Sequence, residues 1–157
     1  MLAIIWHSRT GASRAMAIAI SEGAGQASHL VPAAEAMPAI MLGMQGFIFV
    51  CPENLGTMSG MMKEMFDRCY YPLLGRLEGR PYATAISAGS DGSGAQAQVD
   101  RIATGWRLKR VAPPLVVCLD AQTPQQILAE KTVSRSDLDA CCELGMSFAE
   151  GLALGIF

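Results

Sequence analysis

Charge is scarce in this sequence. Twelve Lys and Arg stand against fourteen Asp and Glu in 157 residues, for a formal net charge of -2, and charged residues make up 17% of the chain. That balance gives no electrostatic case for a nucleic-acid partner, and no basic run marks a membrane surface. Nor is the chain acidic enough to point to docking on a basic redox protein. Five cysteines, Cys51, Cys69, Cys118, Cys141 and Cys142, form an odd set without a C-x-x-C pair. Neither a zinc site nor a disulfide framework is therefore indicated, no metal ligands are nominated, and a reduced, cytoplasmic setting fits. Each cysteine lies in or beside an apolar run and reads as a small core or loop residue. The N-terminus lacks a basic region ahead of its short apolar run, which breaks at His7, so no signal peptide is expected. No apolar stretch approaches the length that spans a bilayer.

What is present is apolar and periodic. Hydrophobic residues make up 51% of the chain, and its length suits a single domain over residues 1–157 that buries about two thirds of its unfolded surface. The organising stretch is Ile4-Ile-Trp-His-Ser-Arg-Thr-Gly-Ala-Ser-Arg14. An apolar run stops in hydroxyls and a glycine, then passes into Ala-Met-Ala-Ile, which reads as strand, tight loop and helix. The first N–H groups of such a helix have no internal partners, and the helix dipole places positive charge there, so the loop favours an anion. No lysine follows the glycine, which removes the nucleoside triphosphate loop, and G-x-G-x-x-G is absent from this turn. The remaining cradle suits one terminal phosphate; a plain helix cap is the other reading of the same residues.

Further along, the pattern predicts a helix over residues 12–24 ended by Gly23 and Gly25, and a second strand over 28–31 stopped by Pro32. A weak helix over 33–41 is interrupted by Pro38. Residues 46–50, Gly-Phe-Ile-Phe-Val, are a buried strand followed by a loop of turn formers up to Gly60. A helix over 61–73 turns Met62, Met65, Phe66, Cys69 and Leu73 inward, a core stripe. A fourth strand over 81–87, a helix over 95–108 and a fifth strand over 115–119 come next. Thr123-Pro-Gln-Gln126 has the capping-box pattern for a short helix over 124–130, and Ser136 is expected to cap the last helix. Strands alternating with helices imply a parallel sheet with helices on both faces, its glycine-rich loops gathered at the carboxyl ends of the strands.

Three of those loops resemble one family, the flavodoxin-like flavoproteins, and within it the NAD(P)H-dependent FMN reductase and quinone reductase branch. Ser8-Arg-Thr-Gly-Ala-Ser13 looks like the family's phosphate loop. Pro52-Glu-Asn-Leu-Gly-Thr-Met-Ser-Gly60, followed by Met61-Met-Lys-Glu-Met-Phe-Asp67, is similar to its proline-led flavin loop and the helix after it. Ala83-Thr-Ala-Ile-Ser-Ala-Gly89 and its glycine-rich continuation are similar to the third flavin loop.

The resemblance implies a three-layer α/β/α domain on a flavodoxin-like, doubly wound five-stranded parallel sheet of order 2-1-3-4-5. It implies FMN as cofactor, with Ser8, Arg9, Thr10, Gly11, Ala12 and Ser13 on the phosphate. Pro52, Glu53, Asn54, Leu55, Gly56, Thr57 and Met58 would line the isoalloxazine ring. Ser87, Ala88, Gly89, Ser90, Asp91 and Gly92 would reach its pyrimidine edge. NADH or NADPH would be the electron donor and a small molecule, a quinone or free flavin, the acceptor. No catalytic side chain is nominated, since the flavin performs the hydride chemistry.

No aromatic side chain stands in residues 52–59 or in the following loop to stack on the ring, which favours a reductase over the alternative, a flavodoxin-type electron carrier without turnover. A module that kept the fold and lost the flavin is a third reading. Glu53 is either a charge beside the ring that disfavours reduced, anionic flavin or a solvent-facing loop residue. His7 reads as structural, Arg14 as solvated, and Cys51 shows no partner or activating base for redox chemistry. A phosphate-receiving regulator would need acids where Trp6 and His7 stand, and a low-molecular-weight tyrosine phosphatase would need a cysteine in the first loop. The apolar tail, residues 152–157, and the helix over 61–73 are expected either to close a homodimer or homotetramer or to belong to the core.

Overall fold

A computed structural model describes residues 1–157. The chain runs β1 (Leu2–Trp6), α1 (Ala12–Ala24), β2 (Ser28–Pro32), α2 (Pro38–Leu42), β3 (Gly46–Asn54), β4 (Thr57–Met58) and α3 (Gly60–Leu73). It continues through β5 (Pro81–Ala88), α4 (Ser93–Gly105), β6 (Lys109–Arg110), β7 (Leu115–Cys118), α5 (Pro124–Leu128) and α6 (Arg135–Leu154). The parallel sheet is ordered β2-β1-β3-β5, and β6 and β7 share the last position, both pairing with β5. This is the expected doubly wound order 2-1-3-4-5, with the fifth strand broken in two. Pro113 and Pro114 stand between its halves, and proline has no N–H to give to a ladder.

Both faces of the sheet are apolar because both are covered. Ala3, Ile5, Phe47, Phe49, Cys51 and Ile86 point to α3 and α4, where they meet Met62, Met65, Phe66 and Val99. Their neighbours Leu2, Ile4, Ile48, Val50, Ala83 and Ala85 point to α1 and α6. The methionine stripe of α3 is core, with Phe66 wedged 4.9 Å from Phe49 and 5.2 Å from Trp106. In the tail the Phe157 ring folds onto Phe148, 5.3 Å away, while Leu154 and Ile156 stay exposed. No helix is long and apolar enough to cross a membrane.

Several local expectations change on folding. Pro38 opens α2 at its first turn instead of interrupting a helix, the place where a missing N–H costs nothing. Ser134, not Ser136, caps α6, its Oγ accepting from Asp137 N–H at 3.1 Å. The Thr123 capping box forms as expected. Gly23 does not end α1; Gly25, at φ 60°, does. Gly23 instead serves packing, since a Cβ there would lie 1.9 Å from Cys142 O of α6, and reciprocally a Cβ on Gly145 would lie 1.9 Å from Ile20 O of α1. The two helices meet backbone to backbone through this glycine pair.

Gly145→Ala is accordingly expected to cost roughly 2 kcal/mol or more through overpacking. Gly105→Ala, where an added Cβ meets nothing within 4 Å, should be neutral or stabilise by up to about 1 kcal/mol. Urea unfolding midpoints measure both, and equal effects at the two sites would contradict the close contact.

Candidate functional site

The first candidate loop leaves β1 and enters α1 through Gly11, whose φ of 98° is left-handed and suits glycine. No side chain caps this helix. Gly11 N–H donates to Ser8 Oγ at 3.1 Å, while the N–H groups of Arg9, Thr10, Ala12, Ser13 and Arg14 find no acceptor in the chain. Five backbone donors thus stand free around one glycine, beside the hydroxyls of Ser8 and Thr10 and the exposed Arg9. Directly before the loop, Trp6 Nε1 is buried without an acceptor. Ser13 turns its hydroxyl inward to Ser87 Oγ, 2.7 Å away and buried, which ties the first loop to the third and leaves only its N–H to the cradle.

The second candidate loop is not a loop. β3 continues through Pro52, Glu53 and Asn54 and turns back into β4, with Leu55 (φ 52°) and Gly56 (φ 72°) as a two-residue hairpin turn. Leu55 is fully exposed at the tip. Met58 N–H donates to Gln98 Oε1 at 2.9 Å, and Gly56 O packs where a Cβ on Gly94 would be, so the hairpin lies on the first turns of α4. Glu53 is not solvent-facing. Its carboxylate accepts Gly92 N–H at 2.9 Å and Ala95 N–H at 3.0 Å, supplying α4 with the anionic cap its own Gly92 cannot provide. Thr57 Oγ1 donates back to Asn54 O at 3.1 Å. Cys51 is buried, and burial pushes its thiol up to about 12, which makes it a poor nucleophile at neutral pH.

In the third loop Ser87 and Ala88 are buried and Gly89 is half-buried. Ser90 and Asp91 are exposed, with Asp91 accepting from Ser93 Oγ at 2.5 Å. Gly92 sits at φ 86°, where a Cβ would lie 2.6 Å from Val116 Cγ1. The structure therefore brings all three predicted segments to one sheet edge and bolts them together through Ser13 to Ser87 and Glu53 to α4. His7 is structural, as its sequence reading had it, while Gln98 and Lys131 were missed. His7 Nδ1 meets the buried Ser59 Oγ at 2.9 Å, joining the first loop to the start of α3. Gln98 fastens the hairpin, and Lys131 N–H reaches Thr10 O at 2.7 Å from a distant segment. No local pattern marks Gln98 or Lys131. A cleft of about 450 Å³ lies elsewhere, along β2 and α2 beside His29, Glu35 and Met44, and contains none of these residues.

Two consequences are measurable. Glu53→Ala leaves two N–H groups without their carboxylate and should cost about 1–3 kcal/mol in denaturant unfolding, with Glu53→Gln milder because it keeps one acceptor oxygen. An unaltered midpoint in the alanine variant would contradict the cap. His7 titrates below its ordinary 6.5, first because it is desolvated and then because Arg9 is near. The unfolded chain then binds this proton more readily, so the stability tied to neutral His7 is present above about 6.5 and falls away as pH drops towards the lowered folded value. His7→Gln should flatten the wild-type loss in unfolding curves taken between pH 7 and 5, and identical slopes would refute the assignment.

Comparison with known proteins bears on the fold and the family. The family model for NADPH-dependent FMN reductase matches residues 10–123, more than half of the chain. No curated protein sequence matches significantly. Among solved structures, a flavodoxin from the domain Archaea superposes with TM-score 0.79 at 19% identity, covering 98% of this chain and 99% of that one. The flavodoxin WrbA-like protein of Agrobacterium tumefaciens gives 0.72 at 21% identity, covering 98% and 97%. The Flv1 flavodiiron core of Synechocystis gives 0.76 at 19% identity, covering 98% of this chain and 36% of that one. These likenesses establish the flavodoxin-like fold, and the sequence match establishes the family: the chain belongs to the NADPH-dependent FMN reductases, a family of flavodoxin-like, FMN-binding oxidoreductases.

Proposed function

We propose that this chain binds FMN with its phosphate in the cradle of residues 8–13, its ring along residues 52–58 and its pyrimidine edge at residues 87–92, and that it carries electrons from NADH or NADPH to a small acceptor such as a quinone or free flavin. The observation that carries this reading is the set of backbone N–H groups at Arg9, Thr10, Ala12, Ser13 and Arg14 without acceptors. A phosphate monoester, with close to two negative charges and several acceptor oxygens, matches that donor set, the positive end of α1 and the charge of Arg9.

Each of the chain's own groups then has a mechanical part. The free N–H groups bind and orient the phosphate. Ser13 with Ser87, and Glu53 with the start of α4, hold the three segments at fixed separations, which limits the reorganisation that binding requires. In the third loop the N–H groups of Ser90 and Asp91 also lack acceptors and are available to the carbonyl edge of a pyrimidine ring. Bound FMN supplies the hydride and electron chemistry. No side-chain acid or base is needed, and His7, engaged with Ser59, is assigned none.

Titration of the purified protein with FMN tests the reading, followed by NAD(P)H oxidation with a quinone or free flavin. Gly11→Asp, which forces a side chain into left-handed backbone and places a carboxylate in the cradle, should weaken FMN binding by roughly a hundredfold or more. Arg9→Ala should weaken FMN binding and spare riboflavin. Absence of FMN binding in the wild-type protein would overturn the proposal; binding without turnover of any acceptor would reassign the chain to electron carriage.

A further inference from the structure

The polar segment over residues 120–131 reads in sequence as no more than a capped short helix, yet it is a strap across the mouth of the site. At one end Ala121 N–H donates to Gly89 O of the third loop at 3.1 Å, and Ala121 O stands 2.7 Å from where a Cβ on Gly89 would be. At the other end Lys131 N–H donates to Thr10 O of the first loop at 2.7 Å. Between these anchors α5 buries no residue. The strap is held by its two ends and not by a core of its own.

Its second anchor brings charge to the cradle. Glu130 Cγ lies 3.6 Å, and Oε1 3.9 Å, from where a Cβ on Gly11 would be, so this carboxylate stands over the glycine around which the free N–H groups are arranged. It makes no hydrogen bond or ion pair within the chain that would neutralise it. Lys131, the adjacent cation, turns its Nζ away to Ile127 O at 2.9 Å and Ala129 O at 2.5 Å, closing the end of α5. A site built of anion-seeking donors thus has an anion at its lip.

Building on the FMN reading above, we propose that Glu130 is a specificity-determining residue of this cradle, a carboxylate that opposes the flavin phosphate and keeps FMN loosely held and exchangeable. The repulsion acts on the phosphate alone, because the nearest formal charge of the flavin is the phosphate's own. Riboflavin, which lacks it, escapes the penalty. Local strain cannot produce that difference, since Glu130 is exposed and unbonded and its replacement leaves the strap's backbone anchors in place.

The test is a pair of titrations, FMN and riboflavin, on wild type and Glu130→Gln, with FMN dissociation followed by flavin fluorescence. Glu130→Gln should bind FMN roughly five- to tenfold more tightly, the scale expected for screened repulsion between a carboxylate and a doubly charged phosphate. FMN release should slow correspondingly, with riboflavin affinity and the thermal midpoint of the free protein unchanged. FMN binding by the variant alone would be the extreme form of the same result. Equal FMN affinity in the two proteins, or an equal gain for riboflavin, overturns the role of Glu130 while leaving the FMN reading standing. If neither protein binds FMN, the FMN reading itself fails and this role with it.

Discussion

The first-turn N–H groups of an α-helix need acceptors, and the way this chain supplies or withholds them organises the whole carboxyl edge of its sheet. α1 and α4 both begin at a left-handed glycine, Gly11 and Gly92, and neither has a side-chain cap of its own. α4 receives the carboxylate of Glu53, brought from β3. α1 receives nothing from the chain. One helix start is closed by an internal anion and becomes an anchor; the other is left open, its first N–H groups without acceptors in the chain.

Closure at α4 explains the hairpin. With Glu53 committed to Gly92 and Ala95, the Leu55 and Gly56 turn is pressed onto the helix, and its register with Gln98 follows. Openness at α1 is useful only if α1 cannot drift, and the backbone contact through Gly23 and Gly145 prevents sliding against α6. The buried Ser13 to Ser87 bond completes the frame, since removing either hydroxyl would strand the other away from water. The geometry is therefore set before any ligand arrives, by bonds that each join two different strands' loops.

Much of this was legible residue by residue. Alternating Phe47, Ile48, Phe49 and Val50 between glycine and proline announced a strand buried on both faces, and the methionine spacing of α3 announced its inward side. Gly11 after hydroxyls at a strand end announced the cradle. Gly23 misled because a glycine near a helix end signals termination from its neighbours alone, whereas its role is to admit the carbonyl of Cys142. Residues 52–58 misled for a related reason: turn formers were visible, but their pairing as a hairpin depends on the surface of α4 beneath them.

Periodicity, capping and turn chemistry act over a few neighbouring residues, so they already placed the main strands and helices, the two-faced parallel sheet and three small-residue segments at strand ends, but not the short strands β4 and β6. Folding alone brought a carboxylate to the start of α4 and left the start of α1 without an acceptor. Glu53 meets Gly92 across 39 positions and Ser13 meets Ser87 across 74, and Glu130 arrives at Gly11 from a strap on the far side of the chain. Such meetings depend on where strands cross and helices pack, and a charge or hydroxyl carries no local mark of the partner that folding will bring to it.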